Sequence, residues 1–137
     1  MSKIVVGDAD SLIALVHQAD SNHQRAQKIS DQLFSGGYEV IYPNTTIVEA
    51  VTTLKRALNL PDKAQLINKQ YQQGAFHVEY INEEIMARAS RIFDKAVSKK
   101  NTFFDAIVAA TAENLEAEAI FSFDDWYPKL GLKLVET

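Results

Sequence analysis

Lys3-Ile4-Val5-Val6-Gly7-Asp8-Ala9-Asp10-Ser11-Leu12-Ile13-Ala14-Leu15-Val16 is the stretch whose reading decides the fold. Residues 3–6 are a short apolar, β-branched run without polar alternation, which reads as a buried strand. Gly7-Asp8 ends it. Residues 11–16 lack period-two alternation, so a helix follows almost at once, capped by Asp10 or Ser11. A buried strand running straight into a helix, with a carboxylate at the junction, is the opening unit of a parallel α/β sheet.

The rest of the chain repeats that unit. Asp20-Ser21-Asn22 caps a helix over residues 23–34, stopped by Gly36-Gly37. Residues 38–42 read as a second strand ending at Pro43-Asn44. Thr45 or Thr46 then caps a helix with Ile47, Val48, Val51, Leu54 and Leu58 on one face. Leu60-Pro61-Asp62 breaks this helix and opens another, ending near Gly74. Residues 76–81 alternate as a third strand, and Asn82 caps a helix with Ile85, Ala89, Ile92, Phe93 and Val97 on one face. The next helix, residues 104–115, is dense in alanine and predicted to be nearly enclosed. Residues 119–123 form a fourth strand ending at Asp124-Asp125, and residues 132–135 a last short one. Strands alternating with helices imply a mostly parallel sheet covered on both faces, with right-handed crossovers.

The 137 residues suit one domain spanning 1–137, and 47% apolar and 23% charged residues are globular values. No apolar run is long enough to cross a bilayer and the N-terminus lacks a signal-peptide core, so the expectation is a cytoplasmic protein. With no cysteine, thiolate nucleophiles and Cys-ligated metals are excluded. The net charge of −4 argues against a nucleic-acid partner if it is spread evenly. It does not if the acids are gathered. With Asp8, Asp10, Glu49, Asp105 and Asp124 neutralised by cations, the remaining 13 acids, five fewer than 18, are balanced by the 14 Lys and Arg.

In an open α/β sheet, ligands collect outside the carboxyl ends of the strands. Asp8 follows strand one, Asp124 follows strand four, Asp105 opens an apolar helix, and Glu49 lies in the first turns of the helix leaving strand two. Any one of them alone reads as a partner of a helix dipole. Together they do not, because Glu49 (T-T-I-V-E-A-V) and Asp105 (F-F-D-A-I-V-A-A) are embedded in apolar sequence where a lone charge is costly. Carboxylates packed together repel unless a cation neutralises them, and hard oxygen ligands in this number suit Mg²⁺ or Mn²⁺. That is the equipment of metal-assisted phosphoryl chemistry.

These residues resemble the PIN-domain ribonucleases, and among them the VapC-like toxins of bacterial toxin–antitoxin pairs. The likeness covers nearly the whole chain: Asp8-Ala9-Asp10-Ser11-Leu12-Ile13-Ala14-Leu15 for the opening motif, Asp20-Ser21-Asn22-His23 with Ala26, Glu49 followed by Lys55-Arg56, Asp105-Ala106 through Ala112, and Ser122-Phe123-Asp124-Asp125-Trp126-Tyr127. The departures are Ala9 and Asp10, where Thr and Asn or Ser are usual, and Ser122 in place of Thr. The resemblance implies a PIN-like (Rossmann-like) three-layer α/β/α sandwich with a mostly parallel sheet of four to five strands. It implies a metal-dependent endoribonuclease in which Asp8, Glu49, Asp105 and Asp124 hold Mg²⁺ or Mn²⁺ and Ser122 orients Asp124 or a water. It also implies RNA as substrate, an antitoxin and a homodimer as partners, and no membrane. Asp10 is an extra acid that reads as a ligand, as a hydrogen-bond acceptor behind the ligands or as the helix cap, the last two being favoured, and Asp125 reads as exposed. Lys55, Arg56, Lys99 and Lys100 are candidates for the RNA backbone, although paired charges are commonly solvated helix ends.

Two rivals stand beside this reading. A haloacid-dehalogenase-like phosphatase would use Asp8 as a covalent nucleophile, with Thr45 or Thr46 and Lys99 as its auxiliary residues, but leaves Glu49 and Asp105 without roles. A non-catalytic PIN-like interaction module would keep the fold. His17, His23 and His77 lack metal-binding spacing, and His23 reads as a packing or hydrogen-bonding residue. The aromatics Phe103, Phe104, Phe121, Phe123, Trp126 and Tyr127 read as core and dimer surface. Ala57, Leu58 and Leu60 are candidates for a partner surface.

Overall fold

A computed structural model describes residues 3–136. Strands β1 (Ile4–Gly7), β2 (Glu39–Pro43), β3 (His77–Glu79) and β4 (Ala119–Phe121) make a sheet of order β3-β2-β1-β4 in which every neighbouring pair is parallel. The chain builds outward from β1 through β2 to β3, then returns to the far side of β1 to lay down β4. Strand order therefore reverses between β1 and β4, where Val6 lies opposite Ile120 and Gly7 opposite Phe121. The crevice outside their carboxyl ends is where such a sheet gathers ligands.

The helices are α1 (Ala9–Val16), α2 (His23–Ser35), α3 (Asn44–Thr52), α4 (Pro61–Gln72), α5 (Glu83–Phe93), α6 (Phe103–Asn114) and the single turn α7 (Trp126–Lys129), with α3 running on into a π-helical turn, Thr53–Ala57. Consecutive strand residues point to opposite faces. Val6 and Ile120 accordingly pack with Ile85 and Ala89 of α5, Ile107 and Val108 of α6, and Tyr127, while Val5 and Phe121 pack with Ala14 of α1 and Ala26, Ile29 and Leu33 of α2. Beside the second group, Tyr42 joins Leu12 of α1, Ile47 and Ala50 of α3 and Ile67 of α4. The result is the expected three layers. Residues 105–112 of α6 are all buried, as its alanine content predicts.

Local chemistry departs from expectation in several places. Asp8, rather than Asp10 or Ser11, caps α1: its Oδ1 accepts Ala9 N–H at 2.7 Å, and Ser11 Oγ donates to the Asp8 carbonyl at 2.7 Å. Neither Thr45 nor Thr46 caps α3, which starts one residue earlier at Asn44; the Asn44 Oδ1 instead accepts Ile81 N–H at 2.8 Å and fixes the end of the β3 segment. Asn82 does cap α5, accepting Ile85 N–H. The third strand is confined to His77–Glu79, and residues 132–135 contribute only an isolated bridge, Leu134 opposite Ile120. Val48 and Leu58 were expected on the apolar face of their helix but are exposed, and α5 ends at Phe93, leaving Phe93 and Val97 at the surface. The π-helical turn rotates the residues beyond Thr52 away from a strict 3.6-residue stripe, which accounts for Leu58.

Gly7 sits where β1 gives way to the α1 cap, and its missing side chain is occupied by a neighbour. A Cβ there would lie 2.6 Å from Cδ1 of the buried Tyr42 ring, whose hydroxyl burial pushes up to about 12. Gly7→Ala is expected to destabilise the fold by about 1–3 kcal/mol through this overpacking; urea denaturation measures it, and wild-type stability would show that Tyr42 has room to move.

Candidate metal centre

Four segments bring carboxylates to the switch point. The strand-to-helix turn sets Asp8 at the end of β1, almost fully buried. Its Oδ1 is held by the Ala9 amide, and its Oδ2 accepts the Tyr127 hydroxyl at 2.7 Å and lies 3.2 Å from Ser122 Oγ. Asp105 is the third residue of α6 and completes a capping box, its Oδ2 accepting Thr102 N–H at 2.9 Å while the Thr102 side chain caps the helix in return. Asp124 follows the end of β4: Oδ1 accepts Trp126 N–H at 2.9 Å and Oδ2 accepts Asn101 Nδ2 at 3.0 Å. Asn101 also lies close enough to Asp105 to oppose the rise of its pKa. Glu49, in the second turn of α3, has no hydrogen-bond partner on its buried Oε1.

Asp10 is a fifth member. Its Oδ2 accepts from Ser122 Oγ at 3.0 Å and from Phe123 N–H at 2.9 Å, while its Oδ1 is buried without a partner. Ser122 is buried and also accepts Asp124 N–H at 3.1 Å, so it stands between Asp8, Asp10 and Asp124. Asp125 is exposed, as expected.

The electrostatics are those of like charges forced together. Burial pushes the Asp8 carboxyl well above its ordinary range; Asp10, Asp105 and Glu49 push it the same way, and the Tyr127 hydrogen bond opposes them. Glu49 is raised to about 7 by burial and then by Asp105 and Asp10. Asp10 is raised to about 6, chiefly by burial, with the Phe123 and Ser122 bonds pulling it down. Burial likewise raises Asp105, and Asp124 adds to the effect.

The donor set fits a hard divalent ion: it is all oxygen, and it keeps two buried carboxylate oxygens, Glu49 Oε1 and Asp10 Oδ1, without hydrogen-bond partners. Among the described residues no group of three or more acidic or histidine side chains is placed, as it stands, to hold a metal ion. Most of the carboxylate oxygens are turned towards hydrogen-bond donors instead, so a bound ion would compete with Tyr127, Asn101 and backbone amides for them. Two cavities, of about 1110 and 500 Å³, lie elsewhere and are lined by none of the five acids. His23 packs as expected, its Nδ1 2.6 Å from the Ala14 carbonyl oxygen, and His77 pairs with Glu39 at 2.9 Å.

Two residues of the site escaped the sequence reading. Tyr127 was assigned to core or dimer surface, and it is fully buried, but its hydroxyl is spent on Asp8. Asn101 was not among the candidate residues, and its side-chain amide donates to Asp124. Neither bond has a local sequence signature: 119 positions separate Tyr127 from Asp8, and 23 separate Asn101 from Asp124.

The sheet order, the acid at the end of β1 and the partner acids on α3, α6 and the β4 turn define an α/β domain with an acidic centre at its switch point. The chain belongs to the PIN domain family, whose model matches residues 5–131. Among solved structures it is similar to VapC20 of Mycobacterium tuberculosis, described as a sarcin-ricin loop cleaving toxin, with a TM-score of 0.82 over 97% of this chain and 99% of that one at 18% sequence identity; the likeness is one of fold. No curated protein matches the sequence. Family membership sets aside the haloacid-dehalogenase-like reading.

The raised carboxyls make stability depend on pH. Between about pH 4.5 and 7 the folded protein keeps a proton on Glu49 that the unfolded chain has already released, so in a chelator stability should fall as pH rises through this window. Thermal melts in EDTA should show this decline, and Glu49→Gln should make it shallower, the remainder coming from the other raised carboxyls. An unchanged slope in the variant would place the titration elsewhere.

Proposed function

We propose that this PIN-domain protein is a divalent-metal-dependent endoribonuclease that cleaves RNA phosphodiester bonds as the toxin of a toxin–antitoxin pair. The observation that carries the reading is the gathering of carboxylates from four segments at the β1–β4 switch point, with buried oxygens of Glu49 and Asp10 left unpartnered. Asp8, Glu49, Asp105 and Asp124 would hold one or two Mg²⁺ or Mn²⁺ ions. Bound there, such an ion supplies Lewis acidity, lowering the pKa of a water and offsetting the charge of the phosphate.

The protein's own groups set the geometry. Tyr127 and the Ala9 amide fix the Asp8 carboxylate, Asn101 holds the Asp124 carboxylate, and Ser122 spans Asp8 and Asp124. The four ligand acids are drawn from separate elements of a rigid sheet, which suits chemistry that depends on positioning. Exposed Lys99 and Lys100 immediately precede Asn101, so they stand beside the acids in the chain and offer contacts to an RNA backbone on that side. Lys55 and Arg56, on the π-helical turn beyond Glu49, are also exposed and supply a second set.

Protein partners are supported by apolar side chains at the surface. Val48 and Leu58 are exposed on α3 and its extension, next to exposed Ala57, whereas Leu60 packs partly into the core. Such a surface suits an antitoxin or a second copy of the chain. Light scattering at micromolar concentration is expected to report a dimer, and Leu58→Asp should shift it towards monomer if this surface is the contact.

Two variants test the site. Calorimetry should show Mn²⁺ binding to the wild type that is lost or much weakened in Asp8→Asn; equal binding would refute a centre built on Asp8. Asp105→Asn, nearly isosteric, should keep the wild-type circular dichroism spectrum and lose Mg²⁺- or Mn²⁺-dependent RNA cleavage by about two orders of magnitude or more. Full cleavage by this variant would overturn the assignment.

A further inference from the structure

The ladder between β1 and β4 runs out at Gly7 opposite Phe121, with the Asp8 amide reaching the Phe121 carbonyl at 3.1 Å just beyond it. From Ser122 onward the two strand ends are tied by side chains, and most of that tie is one carboxylate. Asp10 Oδ2 accepts both the Phe123 amide at 2.9 Å and the Ser122 hydroxyl at 3.0 Å, across more than 110 positions of sequence. Ser122 has a single proton to donate. It lies closer to Asp10 than to Asp8, and with its lone pairs the same oxygen accepts the Asp124 amide at 3.1 Å. A relay thus runs from α1 to the backbone of Asp124.

We propose that Asp10 is a positioning residue of the metal centre: by accepting from Ser122 and Phe123 it holds the turn after β4 in the register that presents Asp124 beside Asp8 and Asp105. The inference rests on the metal-dependent reading of the site. Asp10 is free for this task because Asp8 already caps α1, which leaves the first-turn carboxylate of α1 unclaimed by its own helix. Without an acceptor at position 10, the Phe123 amide loses its partner and the Ser122 hydroxyl keeps only the longer contact to Asp8. The turn then keeps Trp126 N–H and Asn101 as its holds on the Asp124 carboxylate, but the Asp124 backbone is tied to the start of α1 only through Ser122 and its longer contact to Asp8. What matters on this account is the acceptor oxygen rather than the negative charge.

Asparagine retains that oxygen and alanine does not, so the two substitutions separate acceptor from charge. Mn²⁺ affinity by calorimetry is expected to fall about 10-fold or more in Asp10→Ala and to stay within about threefold of wild type in Asp10→Asn. Because Asp10 acts through Asp124, the double variant Asp10→Ala/Asp124→Asn should bind no more weakly than Asp124→Asn alone. A readout independent of metal is amide hydrogen exchange, which should accelerate at Phe123 and Asp124 in Asp10→Ala and not in Asp10→Asn. Wild-type affinity or unchanged exchange in Asp10→Ala would overturn the proposal. So would an Asp10→Asn protein as weak as the alanine variant, which would make Asp10 a ligand through its charge. A wild type that binds no Mn²⁺ would sink the metal reading by itself, and the exchange comparison would then decide whether Asp10 holds the turn.

Discussion

Mutual repulsion among buried carboxylates is the constraint around which this molecule is arranged. Asp8 lies at the end of the central strand, almost without solvent, and Asp10, Asp105 and Glu49 all raise its pKa. Burying unpaired charge is among the most expensive things a fold can do. The sheet tolerates it because the acids arrive on elements fixed for other reasons: β1 and β4 by their parallel ladder, α6 by an alanine-rich buried face, and α3 by its packing on α1 and α4. The site is strained electrostatically while its scaffold is ordinary, so stability is given up where function gathers charge.

Hydrogen-bond donors take up part of that strain, and their distribution is uneven. Asp8 has the Tyr127 hydroxyl and a helix amide, Asp105 a capping box, and Asp124 an amide proton on each side of its carboxylate. Glu49 and Asp10 each keep one buried oxygen bare. The fold therefore half-satisfies the cluster. Fully satisfied carboxylates would have no reason to bind an ion, and wholly unsatisfied ones would not stay buried in the folded state; the donors on Asp8 and Asp124 fix direction, and the bare Glu49 oxygen leaves attraction for a cation.

How far the sequence could be read follows from the range of each interaction. The β1–α1 junction, the alternation of strands and helices and the placing of Asp8, Glu49, Asp105 and Asp124 near strand ends were all legible, because period and turn chemistry act within a few residues. Sheet order was not, since nothing local distinguishes β4 beside β1 from β4 beside β3. Tyr127 and Asn101 were missed for the same reason: the first looks like any buried aromatic until its hydroxyl is seen on Asp8. Val48 illustrates the opposite error, a helical spacing that fits the apolar stripe while the residue itself stands in solvent. Periodicity gives the face of a helix that is apolar, and only packing decides how wide a strip of it the core covers.

The acidic net charge takes on a different meaning once the acids are located. A protein of charge −4 that handles RNA faces repulsion from every phosphate, and that repulsion would be greatest where the five site carboxylates converge. Divalent ions held there would neutralise the local field, after which the flanking Lys99 and Lys100 would dominate what an approaching backbone meets. Substrate binding and ion binding are then coupled through one electrostatic surface, since each phosphate drawn in would strengthen the ion's hold and each ion would lower the barrier to the phosphate. On this view the chain needs no basic groove of its own. On the proposed function, its acids would make the place for RNA by first making the place for a cation.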